Sequence, residues 1–154
     1  MGKNADSSKG SAWALFLTVH AVLVEKMEAR LAEAGLPPLS WYDVLWALER
    51  AEDRRLRMSE LAEMTVLSRS NLTRLVDRLD SAGLVGRERA EEDRRGAFAV
   101  ITAEGRAMRK KMWPVYSAAI KALFEDNISS GEAARMAETL RRILDAVREK
   151  TAVA

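Results

Sequence analysis

The sequence predicts a mostly α-helical fold with one small β-hairpin. Three observations predict it. Apolar residues recur at spacings of three and four along most of the chain. Two short runs, residues 84–89 and 97–102, flank a charged turn that ends in glycine. Helix-starting and helix-stopping residues punctuate the rest: Gly35 with Pro37 and Pro38, then Ser40, Ser59, Ser68, Gly83, Thr102 and Ser129.

Residues 1–11 are polar and small, and are expected to form a loose tail. A first helix over residues 11–34 follows from Trp13, Phe16, Leu17, His20, Val24, Met27 and Leu31, with Gly35 as its C-cap. Ser40 and Asp43 have the spacing of a capping box for a second helix, whose buried side is Trp41, Val44, Leu45 and Leu48. Polar residues 49–57 then lead into a short extended piece around Leu56. Ser59 is expected to cap a short third helix containing Leu61, Ala62 and Met64. After a turn at residues 65–67, Ser68 caps a fourth helix. There Leu72, Leu75, Val76 and Leu79 fall at i, i+3, i+4 and i+7, and Gly83 closes it with Leu84 as the apolar partner of a Schellman turn. The hairpin comes next, with residues 91–96 as its tip. Thr102 caps a fifth helix running to about residue 126, which Pro114 should kink. Ser129 and Glu132 form a further capping box. The sixth helix follows, with Ala133, Met136, Leu140, Ile143, Leu144 and Val147 as its apolar stripe.

Composition narrows the function. The chain has 154 residues, 48% of them hydrophobic, which is enough for one domain with a real core. It has no cysteine, which removes disulfides, thiol catalysis and thiol redox sensing. His20 is the single histidine, so no metal site, cofactor or Ser-His-Asp triad is expected. No apolar run approaches the roughly 20 residues of a membrane span, and no signal peptide opens the chain, so a cytoplasmic protein with no membrane partner is expected. The net charge of +2 says little about nucleic acid, but its distribution says more: between residues 27 and 109 every basic residue is arginine. Arginine suits phosphates and guanine edges, although a GC-rich genome would produce the same bias.

The fourth helix carries the functional signal. With its apolar side used, it presents Ser70, Thr73, Arg74 and Asp77, flanked by Arg69, Asn71 and Arg78. Small hydrogen-bonding side chains let a helix sit deep in the major groove of DNA, and arginine can fork onto a guanine. Ser68 and the free N–H groups of the helix N-terminus suit a phosphate. Any one of these residues alone would be an ordinary solvated position. Together with the short helix before them and an arginine-tipped hairpin after Gly83, they give the layout of a winged helix-turn-helix. Arg94 and Arg95 at the tip can reach an adjacent minor groove, with Asp93 holding a guanidinium and Glu91 and Glu92 solvated. Arg57 and Arg69 are expected on phosphates, and Arg74 and Asn71 on bases. Asp77 would repel phosphate and is expected to pair with Arg74 one turn back.

Several of these segments carry a family resemblance: Ser59-Glu60-Leu61-Ala62, the run SRSNLTRLVDRL at residues 68–79, Gly83-Leu84-Val85, and DRRGAFAVITAEG at residues 93–105 with its Asp93, Arg95, Ile101-Thr102 and Gly105. In these motifs the chain resembles the MarR family of bacterial transcriptional regulators, from about Trp13 to Val147. The resemblance implies a homodimer with interlocking N- and C-terminal helices, formed here by residues 12–39 and 103–154, around a DNA-binding module at residues 40–102. It implies a pseudo-palindromic double-stranded DNA operator, Arg95 in the minor groove, and a repressor released by a small phenolic or aromatic acid. Lacking cysteine, the chain stands apart from the peroxide-sensing branch. The candidate effector contacts are Trp13, His20, Trp41, Asp43, Trp46, Met112, Trp113 and Tyr116. Each has a plainer reading: tryptophans on apolar stripes as core, His20 as a structural histidine, Asp43 as a cap. Three other roles stay open: a monomer with the terminal helices folded back on the module, a winged helix that binds only protein, and an enzyme. The enzyme lacks support, since the carboxylates lie among arginines with neither a glycine-rich phosphate loop nor a nucleophile-base pair.

Overall fold

The computed structural model describes residues 3–65, 69–89 and 96–152. Among them are six α-helices and three strands: α1 (Lys3–Glu33), α2 (Leu39–Arg50), β1 (Arg55–Arg57), α3 (Met58–Met64), α4 (Arg69–Ser81), β2 (Val85–Arg89), β3 (Ala97–Ile101), α5 (Ala103–Leu123) and α6 (Ser130–Ala152). No helix among the described residues is long and apolar enough to cross a membrane. The chain divides into two compact units, residues 1–117 and 118–154. The division falls inside α5.

In the larger unit, one core joins α2, α3, α4 and the sheet. Val44, Leu45 and Leu48 meet Leu61, the α4 stripe Leu72, Leu75, Val76 and Leu79, and Val85, Ala99 and Ile101 from the strands. The sheet is antiparallel in the order β1-β3-β2. The extended piece around Leu56 is thus a true edge strand, with Leu56 opposite Ala99 and Arg57 opposite Phe98. The turn before it holds Asp53 and Arg54 at positive φ, a left-handed conformation uncommon for residues with a Cβ.

The helix ends follow the sequence in part. Gly35 and Gly83 adopt positive φ, and each closes a Schellman turn: Leu36 N–H donates to the Leu31 carbonyl and Leu84 N–H to that of Leu79, both at 2.9 Å. Thr102 caps α5 as expected, its Oγ1 accepting the Gly105 N–H at 3.0 Å while donating to the Gly83 carbonyl at 2.7 Å. Gly105 is required by close approach: a Cβ there would collide with the Leu84 carbonyl oxygen and the Ile101 side chain.

Three expectations are corrected. Helix α1 begins at Lys3, where a loose tail to residue 11 was expected. Ser40 does not cap α2. Pro38 precedes that helix without a side-chain cap, and the Glu28 carboxylate of α1 accepts the Leu39 N–H at 3.0 Å instead. Asp43 therefore lies within the helix as a half-buried residue. Ser59 does not cap α3, which starts one residue earlier because Arg57 ends the strand there; the Glu60 carboxylate accepts the Arg57 N–H at 2.8 Å. Helix α5, Ala103–Leu123, contains Pro114 as expected. Residues 66–68, which hold most of the expected turn and the expected cap Ser68, lie outside the described residues.

In the smaller unit, the Ser129–Glu132 capping box forms as expected. The Glu132 carboxylate accepts both the N–H and the hydroxyl of Ser129, at 2.9 and 2.7 Å, which holds it below the usual carboxylate range. Along α6, Met136, Leu140, Ile143, Leu144 and Val147 are exposed.

Candidate nucleic-acid interface

Helix α4 is divided between core and solvent as its periodicity requires. Leu72, Leu75, Val76 and Leu79 are buried, while Ser70, Asn71, Thr73, Arg74, Asp77 and Arg78 are exposed. The polar face is therefore available to a groove. The short helix α3 runs into it: Met58 and Ser59 line a small cleft together with Leu72 and Thr73.

The two strands that carry the wing are tied to α4 by an ion pair the sequence did not suggest. Asp77 is bound by the Arg87 guanidinium of β2, and not by Arg74. Arg87 lies opposite Ala99, which is buried in the core, so its side chain leaves the sheet on the side that faces α4. Arg78 instead reaches back along its own helix, its Nε donating to the Arg74 carbonyl at 3.4 Å. Asp93, Arg94 and Arg95, with Glu91 and Glu92, lie outside the described residues.

The candidate effector residues do not form one group. Trp41 packs against the winged core and Met112 is fully buried, so both have structural places. Trp13 and His20 are exposed on α1, where Trp13 stacks on Phe16 with centroids 6.4 Å apart. Trp46 lies under the guanidinium groups of Arg50 and Arg109, at 5.6 and 5.0 Å from the ring centroid. Trp113 and Tyr116 do cluster, through Tyr42, which sequence reasoning passed over. The Tyr42 ring is 6.0 Å from Trp113 and 5.0 Å from Tyr116. Tyr42 follows Trp41 on the buried side of α2, so helical spacing from Leu45 could have found it.

Charge around this cluster is perturbed. Burial, and then the nearby Glu28 carboxylate, push the Asp43 carboxyl up to about 6. Burial, with Asp43 and Tyr42 beside it, raises the Tyr116 hydroxyl. Burial likewise raises Tyr42, against the opposing pull of Arg109. Burial works against the Arg109 charge, but its bonds to Glu49 and Tyr42 outweigh this and raise it further.

Known proteins share this arrangement. Residues 34–96 match the model of the MarR family. The chain is 30% identical over 130 residues to the HTH-type transcriptional regulator SarZ of Staphylococcus aureus, covering 84% of each protein. Among solved structures, AbsC, a MarR family transcriptional regulator from Streptomyces coelicolor, is 33% identical with a TM-score of 0.83, over 92% of this chain and 95% of that one. Sco3205, a MarR family regulator of the same organism solved in complex with DNA, is 27% identical with a TM-score of 0.84, over 91% of this chain and 88% of that one. Fold, core pattern and sequence agree: this chain belongs to the MarR family of winged helix-turn-helix transcriptional regulators.

Proposed function

We propose that the protein is a sequence-specific double-stranded-DNA-binding regulator, acting as a homodimer and repressing until a small aromatic acid releases it. The observation that carries the DNA reading is the exposed face of α4, where Ser70, Asn71, Thr73, Arg74 and Arg78 stand on a helix anchored by four core residues. Residues 40–102 would read the DNA. Arg74 and Asn71 would discriminate bases, with Arg57, Ser68 and Arg69 on phosphates and Arg94 and Arg95, steadied by Asp93, at the minor groove. The helices within residues 12–39 and 103–154 would join the two copies. Exposed Trp13, Phe16, Leu17 and Val22 on α1, and the apolar stripe of α6, support this reading, because large apolar side chains in contiguous rows favour burial against a partner. A two-fold dimer places its half-sites about one helical turn, roughly 10 bp, apart. For the effector, the Tyr42–Trp113–Tyr116 cluster supplies aromatic faces, with Asp43 nearby.

Selection of duplexes from a random pool, followed by anisotropy titration, tests the reading. The expected result is a two-fold symmetric site whose affinity falls when a phenolic acid is added. Failure to retain any duplex at low salt would overturn the DNA reading and favour a winged helix that binds only protein.

A further inference from the structure

Helix α2 is engaged on two sides. Val44 and Leu48 enter the core that holds the α4 stripe. Tyr42, Trp46 and Glu49, spaced i, i+4 and i+7 along another side, all meet one arginine of α5. Arg109 is ion-paired with Glu49 and bonded to the Tyr42 hydroxyl, and its guanidinium lies over the Trp46 ring, 5.0 Å from the centroid. Further along α5, Trp113 and Tyr116 close on the Tyr42 ring. The Arg109 and Glu49 side chains are 13% and 18% exposed, whereas those of Arg87 and Asp77 are 39% and 56% exposed.

A pair so withdrawn from water adds little stability. Desolvating two ions offsets most of their attraction, and apolar side chains of the same volume do as well. What it supplies is registry. Arg109 is satisfied only when its fork meets Glu49 and Tyr42 together, so sliding or turning α5 against α2 breaks both bonds. Registry matters here because α2 shares a core with α4, while residues 103–154 would join the two copies. We propose that the Arg109–Glu49 pair, with the Tyr42 hydroxyl, fixes α2 and the reading helix on α5, and so sets the half-site spacing that the dimer accepts on DNA. Arg109 and Glu49 are positioning residues and touch no DNA. The proposal rests on the two-fold DNA-reading function above. Each base pair added between half-sites carries one of them about 3.4 Å along the duplex and about 35° around it. A joint held by directional bonds rejects such a duplex; one held by apolar contact alone yields to it.

Anisotropy titrations test it with a labelled duplex selected by the wild-type protein from a random pool. Its companions are the same duplex with one base pair inserted at the centre, with one removed, and with scrambled half-sites. The wild-type protein should prefer the selected spacing over either altered one by about tenfold or more. Replacing Arg109 alone would strand a buried carboxylate, so the main variant is double, Arg109→Met with Glu49→Leu. Thermal melting and gel filtration should show it folded and dimeric. It should keep its preference for selected over scrambled half-sites, while its spacing preference falls to about threefold or less. Tyr42→Phe, which drops only the hydroxyl, should lie between. Arg74→Ala should do the reverse, relaxing base preference and leaving spacing preference intact. A spacing preference within about twofold of wild type in both Tyr42→Phe and the double variant would overturn the joint. So would an equal loss of base and spacing preference, since the reading helix itself would then be disturbed. If the wild-type protein binds no duplex, the DNA reading fails and the joint with it. If it binds and discriminates half-sites but accepts all three spacings alike, the DNA reading stands and the joint alone fails.

Discussion

Replacing Asp43 by Asn should stabilise the protein at neutral pH and leave it unchanged in acid. Asp43 is half-buried in α2, and burial together with Glu28 moves its carboxyl from 3.8 to about 6. A folded-state pKa above the unfolded value means that the folded chain holds the proton more tightly. Ionisation therefore costs stability. The cost is absent below about pH 4, grows as the pH rises from about 4 to 6, and is complete above that. The shift corresponds to at most about 3 kcal/mol, and water at the partly exposed carboxylate reduces this to about 1–2 kcal/mol. Asn has nearly the same shape and no charge. The variant should thus gain about 1–2 kcal/mol at pH 7.5, or roughly 3–6 °C in Tm for a chain of this size, and nothing at pH 4. Urea unfolding followed by tryptophan fluorescence, at fixed protein concentration and a series of pH values, measures it. A variant less stable than wild type at pH 7.5, or a difference that does not change with pH, would refute the reasoning.

Three further outcomes follow from the packing. Gly105→Ala forces a Cβ onto the Leu84 carbonyl, so thermal melting should show a loss of about 2–4 kcal/mol, and an unchanged Tm would contradict the close approach. Glu28→Ala removes the acceptor of the Leu39 N–H and should cost about 1 kcal/mol in chemical unfolding, whereas Glu28→Gln, which retains an acceptor, should recover most of it. Arg74→Ala on the exposed face of α4 should cost about 1–3 kcal/mol against a selected duplex and relax preference at one position per half-site, as read by a second round of selection.

The contrast between α4 and the effector candidates shows which features a sequence can carry. In α4, spacing alone separates Leu72, Leu75, Val76 and Leu79 from Ser70, Thr73 and Arg74, because a helix converts position along the chain directly into a face. Gly83, Thr102 and the Ser129–Glu132 box were legible for the same reason: their partners lie within a few residues. The effector candidates were gathered by residue type, and residue type does not say which side chains meet. Tyr42 brings Trp113 and Tyr116 together, while Trp41 and Met112 go to the core.

By itself, then, the sequence determined where helices form, the buried face of α4, the ends marked by Gly35, Gly83, Thr102 and Ser129, and the kinship that the motifs carry, all encoded at short range. Only the tertiary structure decided that Glu28 caps α2 from α1, that β1 joins the hairpin as an edge strand, that Asp77 turns to Arg87 and not to Arg74, and that Arg109 of α5 pairs with Glu49 of α2. These pairings join residues on different elements, ten or more positions apart in the chain. They depend on how the elements pack against a shared core, and no local periodicity records that.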